Sequence, residues 1–163
     1  MFKNHRILMI LMLTIGSIFG CKEKSAVSVK NTTDLMKYGI PYAIHAPLDV
    51  TITKIGSGSL ADVSVKNQNG YDVQVFMGNA FTNDLVKLKQ QKKEAIGANP
   101  SFIKIVEEYD DGFLYEKTTD EGKRTYDFVI VKILGDKEIN FQCGNSKEFS
   151  EQEVKAMVKS VLD

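Results

Sequence analysis

The stretch Arg124–Cys143, RTYDFVIVKILGDKEINFQC, sets the frame for the rest of the chain. From Phe128 to Val131 every position is apolar. Successive side chains of a strand point to opposite faces, so such a run needs cover on both. It predicts a central strand. Gly135-Asp136 is turn chemistry, and Glu138–Cys143 then alternates, with Ile139, Phe141 and Cys143 on one face. An antiparallel pair follows, with Cys143 a small core residue and not a reactive thiol.

On the C-terminal side, Ser150 and Glu153 form the S-x-x-E capping box. Val154, Met157, Val158, Val161 and Leu162 follow at helical spacing. Glu151, Gln152, Lys155 and Lys159 fill the other face. The pattern predicts a helix lying across the sheet. On the N-terminal side, Asp120-Glu121-Gly122 is a turn. Before it, Ser101–Tyr109 and Gly112–Thr118 make a hairpin across Asp110-Asp111-Gly112. Thr82–Ile96 has helical period, with Leu85, Leu88, Ala95 and Ile96 as its stripe and Gly97 as its expected C-cap. Four alternating runs precede it, at 42–46, 50–53, 61–66 and 71–77, and read as an antiparallel meander. Gly56-Ser57-Gly58-Ser59 and Asn67-Gln68-Asn69-Gly70 are its turns. The glycine-serine run lacks phosphate-loop spacing. Thr32–Lys37 predicts one helical turn closed by Gly39.

The chain opens with Lys3 and Arg6, an apolar run Ile7–Ile15, and the stretch Gly16-Ser17-Ile18-Phe19-Gly20 before Cys21. That is the build of a secretory signal peptide. A retained transmembrane helix is the alternative, but a span needs about 20 apolar residues. Ile18-Phe19-Gly20-Cys21 resembles a bacterial lipobox. The resemblance implies cleavage before Cys21 and lipidation of its thiol and new amine. Residues 1–20 are then the signal peptide, 21–35 the lipidated cysteine and flexible tether, and 36–163 one α+β domain. Several lipid chains on one residue make a stable membrane anchor. Lys22 supplies no acidic retention signal, which favours outer-membrane sorting in a cell with two membranes.

Removing residues 1–20 leaves 143 residues with a net charge of −2. That is one domain with a sizeable core and no nucleic-acid footprint. Arg124 is the only arginine left, so bidentate arginine clamps are nearly excluded. His45 is the only histidine left, which excludes a histidine-based metal site and makes it the one residue a hydrolase triad would use. No G-x-S-x-G elbow accompanies it. His45 alternates with Ile44 and reads as a solvent-side strand residue. Glu107 and Glu108 point to opposite faces and do not act as a pair. Asp110-Asp111 and Asp120-Glu121 read as solvated turn charges without EF-hand spacing. Lys87, Lys89, Lys92 and Lys93 form a candidate partner surface, whose bland reading is a solvated helix face suited to the helix dipole. Most aromatics sit in strand patterns, while Phe76, Phe113 and Tyr115 are candidates for a groove. No residue set points to a cofactor or metal.

The segments YAIHAPLDVTI, VQVF, the middle helix, IKIVEEYDDGFLYEK, YDFVIVKIL with EINFQC, and FSEQEVKAMVKSVLD together resemble a Mog1/PsbP-like domain over about residues 36–163. The resemblance implies an antiparallel sheet between helices and a non-catalytic binding or assembly role. Cystatin-like and lipid-carrier α+β folds fit the same element order. The expectation is a lipid-anchored envelope protein that binds a partner or ligand, an unknown protein or a small apolar molecule, without catalysis. The alternatives are a carrier with an apolar cavity between sheet and C-terminal helix, and a hydrolase using His45.

Overall fold

The computed structural model describes residues 31–55 and 61–163. Its centre is a seven-stranded antiparallel sheet built from two meanders. The first runs β3 (Thr51–Lys54), β4 (Ala61–Lys66) and β5 (Asp72–Asn79). The second runs β6 (Phe102–Tyr109), β7 (Gly112–Thr118), β8 (Arg124–Leu134) and β9 (Lys137–Cys143). Helix α1 (Leu85–Gly97) carries the chain from the end of β5 to the far edge. The second meander then returns strand by strand, so that β9 pairs with β5 and the order is β3-β4-β5-β9-β8-β7-β6. Helix α2 (Glu151–Leu162) closes the chain.

A smaller ribbon lies outside this sheet. β1 (Asn31–Asp34) pairs with β2 (Ala43–Ala46), and a single 3₁₀ turn, Met36–Tyr38, links them and ends on Gly39 at φ 94°. The run at 42–46 is therefore not part of the main meander. The expected helical turn over Thr32–Lys37 is a strand followed by this short turn. The tether expected over 21–35 is also too long, because Asn31–Asp34 are paired and Leu35 is fully buried. Cys21, the rest of the N-terminal segment and Gly56-Ser57-Gly58-Ser59 lie outside the described residues.

The two faces of the sheet are covered unequally. One face carries Val63, Val73, Val75, Phe128, Ile130, Ile139 and Phe141, all fully buried. Over it lie α2, through Val154, Met157, Val158 and Val161, and the ribbon, through Leu35, Ile40, Ile44 and Ala46. Fully burying one such side chain contributes about 1.5–3 kcal/mol, so this interface dominates the stability. The α2 cap is as the sequence predicts. Glu153 N–H donates to Ser150 Oγ, and Ser150 N–H donates to Glu153 Oε2. The stripe differs at its end. Ser160 is buried and hydrogen-bonded to Tyr71 Oη at 2.7 Å, while Leu162 is exposed.

The opposite face is covered only in part. α1 packs Leu88, with Leu85 and Ile96 beside it, onto Phe113, Tyr115, Val129 and Val131. Val129 and Val131 are the other parity of the apolar run, so β8 is covered on both faces. Phe113 and Tyr115 are core residues here and do not line a groove. Asp84 is the α1 N-cap, accepting from Lys87 N–H at 3.1 Å. Gly97 is the last helical residue and not the cap. Ala98 fills that place in right-handed conformation. No described helix is long and apolar enough to cross a membrane.

Candidate functional site: a polar trough beside helix α1

α1 covers β8 and the second meander, which leaves the same face of β3, β4, β5 and β9 without a helix. Strand alternation decides what stands there. Cross-strand register groups the side chains in rows. One row runs Thr53, Ser64, Gln74, Gln142, and then Val129 under α1. The next runs Asp62, Phe76, Asn140, and then Val131. The face is therefore polar where it is open and apolar where α1 lies on it. Phe76 is the exception, a half-buried aromatic in the centre of the open part.

Two hollows occupy this face. The first, about 300 Å³, lies between α1 and the sheet, with Phe76, Val129, Asn140 and Gln142 as its floor and Lys92, Ala95 and Ile96 as its wall. The second, about 290 Å³, continues toward the other end of β5 and is lined by Ile55, Ser64, Lys66, Asp72, Gln74 and the segment Gly144–Ser146. Gln74 and Gln142 face each other in register, so the hollows adjoin and form one trough.

Five acids on the sheet and its turns are buried, and their pairing separates the trough from the rest of the molecule. Glu116 is held by Arg124 at 3.1 Å and by Lys104 at 3.5 Å. Asp127 accepts from Lys117, from Phe128 N–H and from Cys143 N–H. Asp111 is paired with Lys132, so it is not the solvated turn charge that its sequence position suggests. Burial pulls the Lys132 ammonium down, but the Asp111 hydrogen bond and charge hold it above its ordinary range. The remaining two are Asp72 and Glu138, both on the trough face. Each leaves one carboxylate oxygen, Asp72 Oδ1 and Glu138 Oε2, buried and without a hydrogen-bond partner among the described residues. Such an oxygen costs about 1–3 kcal/mol or more if it stays unpaired. Gly144 is packed against Asp72 so closely that a Cβ there would lie 2.0 Å from Oδ1.

The lysine surface is largely committed within the protein. Lys92 pairs with Glu138 at 2.9 Å and Lys93 with Glu108 at 2.5 Å. Lys89 donates to the Tyr109 carbonyl and pairs with Glu108 at 3.4 Å. The hydrogen bond from Lys93, with Lys89 beside it, holds the Glu108 carboxyl below the ordinary range. Lys87 alone of the four has no ion pair among the described residues. Lys89, Lys92 and Lys93 tie α1 to β6 and β9, and no lysine lies in the last turn of the helix, where the dipole is felt most. Glu107 and Glu108 do diverge, with Glu107 pairing with Lys155 of α2 on the opposite face.

His45 stands in β2 opposite Thr32 and is half-buried, not on the open surface. Its imidazole has no hydrogen bond to a described serine or carboxylate. Cys143 is buried, and desolvation, followed by the nearby Asp127 charge, pushes its thiol pKa far up. The described residues contain no group of three or more His, Cys, Asp or Glu side chains placed to hold a metal ion. Sequence reading missed the trough, because its polar residues look like the solvated half of ordinary strands. Only the lone Phe76 in an otherwise polar parity hinted at it.

No protein-family profile matches the chain, and no curated protein or solved structure matches it either.

Proposed function

We propose that this protein is a lipid-anchored, non-catalytic binding module of the bacterial cell envelope, and that its ligand sits in the trough beside α1. The observation that carries the binding site is the coincidence of three features on one open face. They are a central aromatic, Phe76, the Gln142 carboxamide without a side-chain partner among the described residues, and the buried Asp72 carboxylate with one oxygen unpaired. Elsewhere among the described residues, buried acids are satisfied within the fold. The Mog1/PsbP-like reading belongs to the same proposal, supported by an antiparallel sheet with a helix on each face. A binding role is favoured over an internal carrier role by the packing of α2, whose Val154, Met157, Val158 and Val161 fill its interface with the sheet. Attachment rests on the signal-like segment and Cys21.

Photo-crosslinking in intact cells tests the site. A photoreactive residue at position 142, on the trough floor, should yield an adduct of defined mass. The same residue at Asp120, in an exposed turn, should not. Adducts of equal yield from both positions, or none from position 142, would overturn the trough as the binding face.

A further inference from the structure

We infer that the ligand of this trough is a glycan chain, held by neutral hydrogen bonds and by the Phe76 ring. The inference rests on the proposed binding role and names its chemistry. Charge is the first constraint. Lys92 is neutralised by Glu138 and Lys66 stands opposite Asp72 across the β4–β5 pair, which leaves Asp62, accepting from the neutral Gln74 Nε2 at 3.2 Å, as the one uncompensated charge among the described residues of the trough. Little net charge of either sign is left over, so a strongly ionic ligand has little to bind.

Hydrogen-bonding capacity is the second constraint. Gln142 has no partner among the described residues, and Asn140 uses only its Nδ2, which donates to Glu138 Oε1 at 3.0 Å. Carboxamides offer both donors and acceptors, while the Asp72 carboxylate, which lines the second hollow, accepts only. A matching ligand must be rich in groups that both donate and accept and that carry no charge. Hydroxyl groups satisfy this, and a neutral hydroxyl donating to a carboxylate forms the stronger, charge-assisted kind of bond. Asp72 is 4% exposed and lines the second hollow. Apolar surface is the third constraint. Half-buried Phe76, with Ile96 beside it, gives one flat apolar contact amid polar groups, matching a sugar ring with polar edges and an apolar C–H face. From Asp72 to Phe76 the trough spans ~13 Å along β5, at about 3.3 Å per residue. That length favours a chain over a single sugar.

Calorimetric titration of the full-length protein, kept in a zwitterionic detergent free of sugar, tests the inference with the neutral N-acetylated tetrasaccharide chitotetraose. The tetrasaccharide should bind, and should bind about tenfold or more tighter than the corresponding disaccharide. Affinity should change little between low and high salt, as expected without ionic contacts. Phe76→Ala and Gln142→Ala should each weaken binding about tenfold, the scale of losing one stacking or hydrogen-bonding contact. Gln142 is half-buried on the surface, so Gln142→Ala should fold normally and keeps the test decisive if Phe76→Ala does not. Phe81→Ser, beyond the other end of β5, should leave affinity unchanged. Absence of binding, equal affinity for the two sugars, or binding insensitive to Gln142→Ala would each overturn the glycan assignment. If crosslinking from position 142 still succeeds in that case, the trough stands and only the ligand class is wrong.

Discussion

Gly112 and Cys143 show how single residues are fixed by their neighbours. Gly112 opens β7 beside β8, and a Cβ there would lie 2.0 Å from the Val129 carbonyl oxygen. That atom is backbone in a paired strand and has no room to move aside. Gly112→Ala should therefore cost about 3 kcal/mol or more, at the upper end of overpacking changes. Thermal melting checks it, and a midpoint within two or three degrees of wild type would contradict the close packing. Cys143 ends β9 on the α2 face and is almost fully buried. Reaction of a thiol requires the thiolate, which burial here disfavours. A maleimide should label it slowly in the native protein and rapidly in denaturant. Equal rates in the two conditions would show that the end of β9 is open.

At the scale of elements, α2 is a core element and not a recognition helix. Val158 is 2% exposed on the face turned to the sheet. Val158→Asp would place an unpaired carboxylate there, at a cost of several kcal/mol against a total stability of about 5–15 kcal/mol. Loss of a cooperative unfolding transition is expected, and a near-normal melt would mean that this face is not packed. The helix start also responds to acid. The hydrogen bond from Lys147, at 2.5 Å, and then the Ser150 N–H lower the Glu153 pKa, with burial opposing them. A carboxyl lowered in the folded state stabilises it above the unfolded pKa, near 4.3. That contribution is lost as pH falls through the lower, folded value. Glu153 is more than a third exposed, so screening keeps the effect small. Carboxyl carbon NMR should find Glu153 titrating below the other exposed glutamates, and Glu153→Gln should remove part of the acid-induced loss of stability. A Glu153 that titrates at or above the ordinary range would refute the capping account.

For the whole molecule, the ribbon sets where the domain begins. Asn31 pairs with Ala46, so nine residues, 22–30, separate Cys21 from the first strand. The ten residue steps from Cys21 to Asn31 reach at most ~36 Å when fully extended. On the proposed anchoring the domain stays close to the bilayer, and Cys21 is its only attachment point. Cys21→Ser should move the protein from the membrane fraction to the soluble fraction. If the variant still sediments with membranes after a carbonate wash, the anchor lies elsewhere. Some apolar side chains are left outside the core. Phe81, in the loop between β5 and α1, is 93% exposed, and Val86, in the first turn of α1, 74%. They stand apart from the trough, which makes Phe81 a suitable control in the binding experiment.

The sequence by itself determined the elements. Period-2 alternation, the doubly apolar run in β8 and the Ser150–Glu153 box are local signals, written by steric and hydrogen-bonding rules that act within a few residues. They were enough for the order of strands and helices from Thr51 onward, for the burial of Cys143 and for the α2 stripe apart from Ser160 and Leu162, but not for β1, whose local pattern reads as a helical turn. Only the tertiary structure decided what the polar positions do. Asp111 looks like a turn charge until β8 brings Lys132 beside it. Lys89, Lys92 and Lys93 look like a free basic face until Glu108 and Glu138 arrive from strands distant in sequence. Gln74, Phe76, Asn140 and Gln142 become neighbours only because α1 carries the chain across the sheet and β9 returns to pair with β5. Whether a polar strand residue faces bulk water or a hollow depends on which helix covers that face. That choice is made by the packing of the whole chain, which no local pattern encodes.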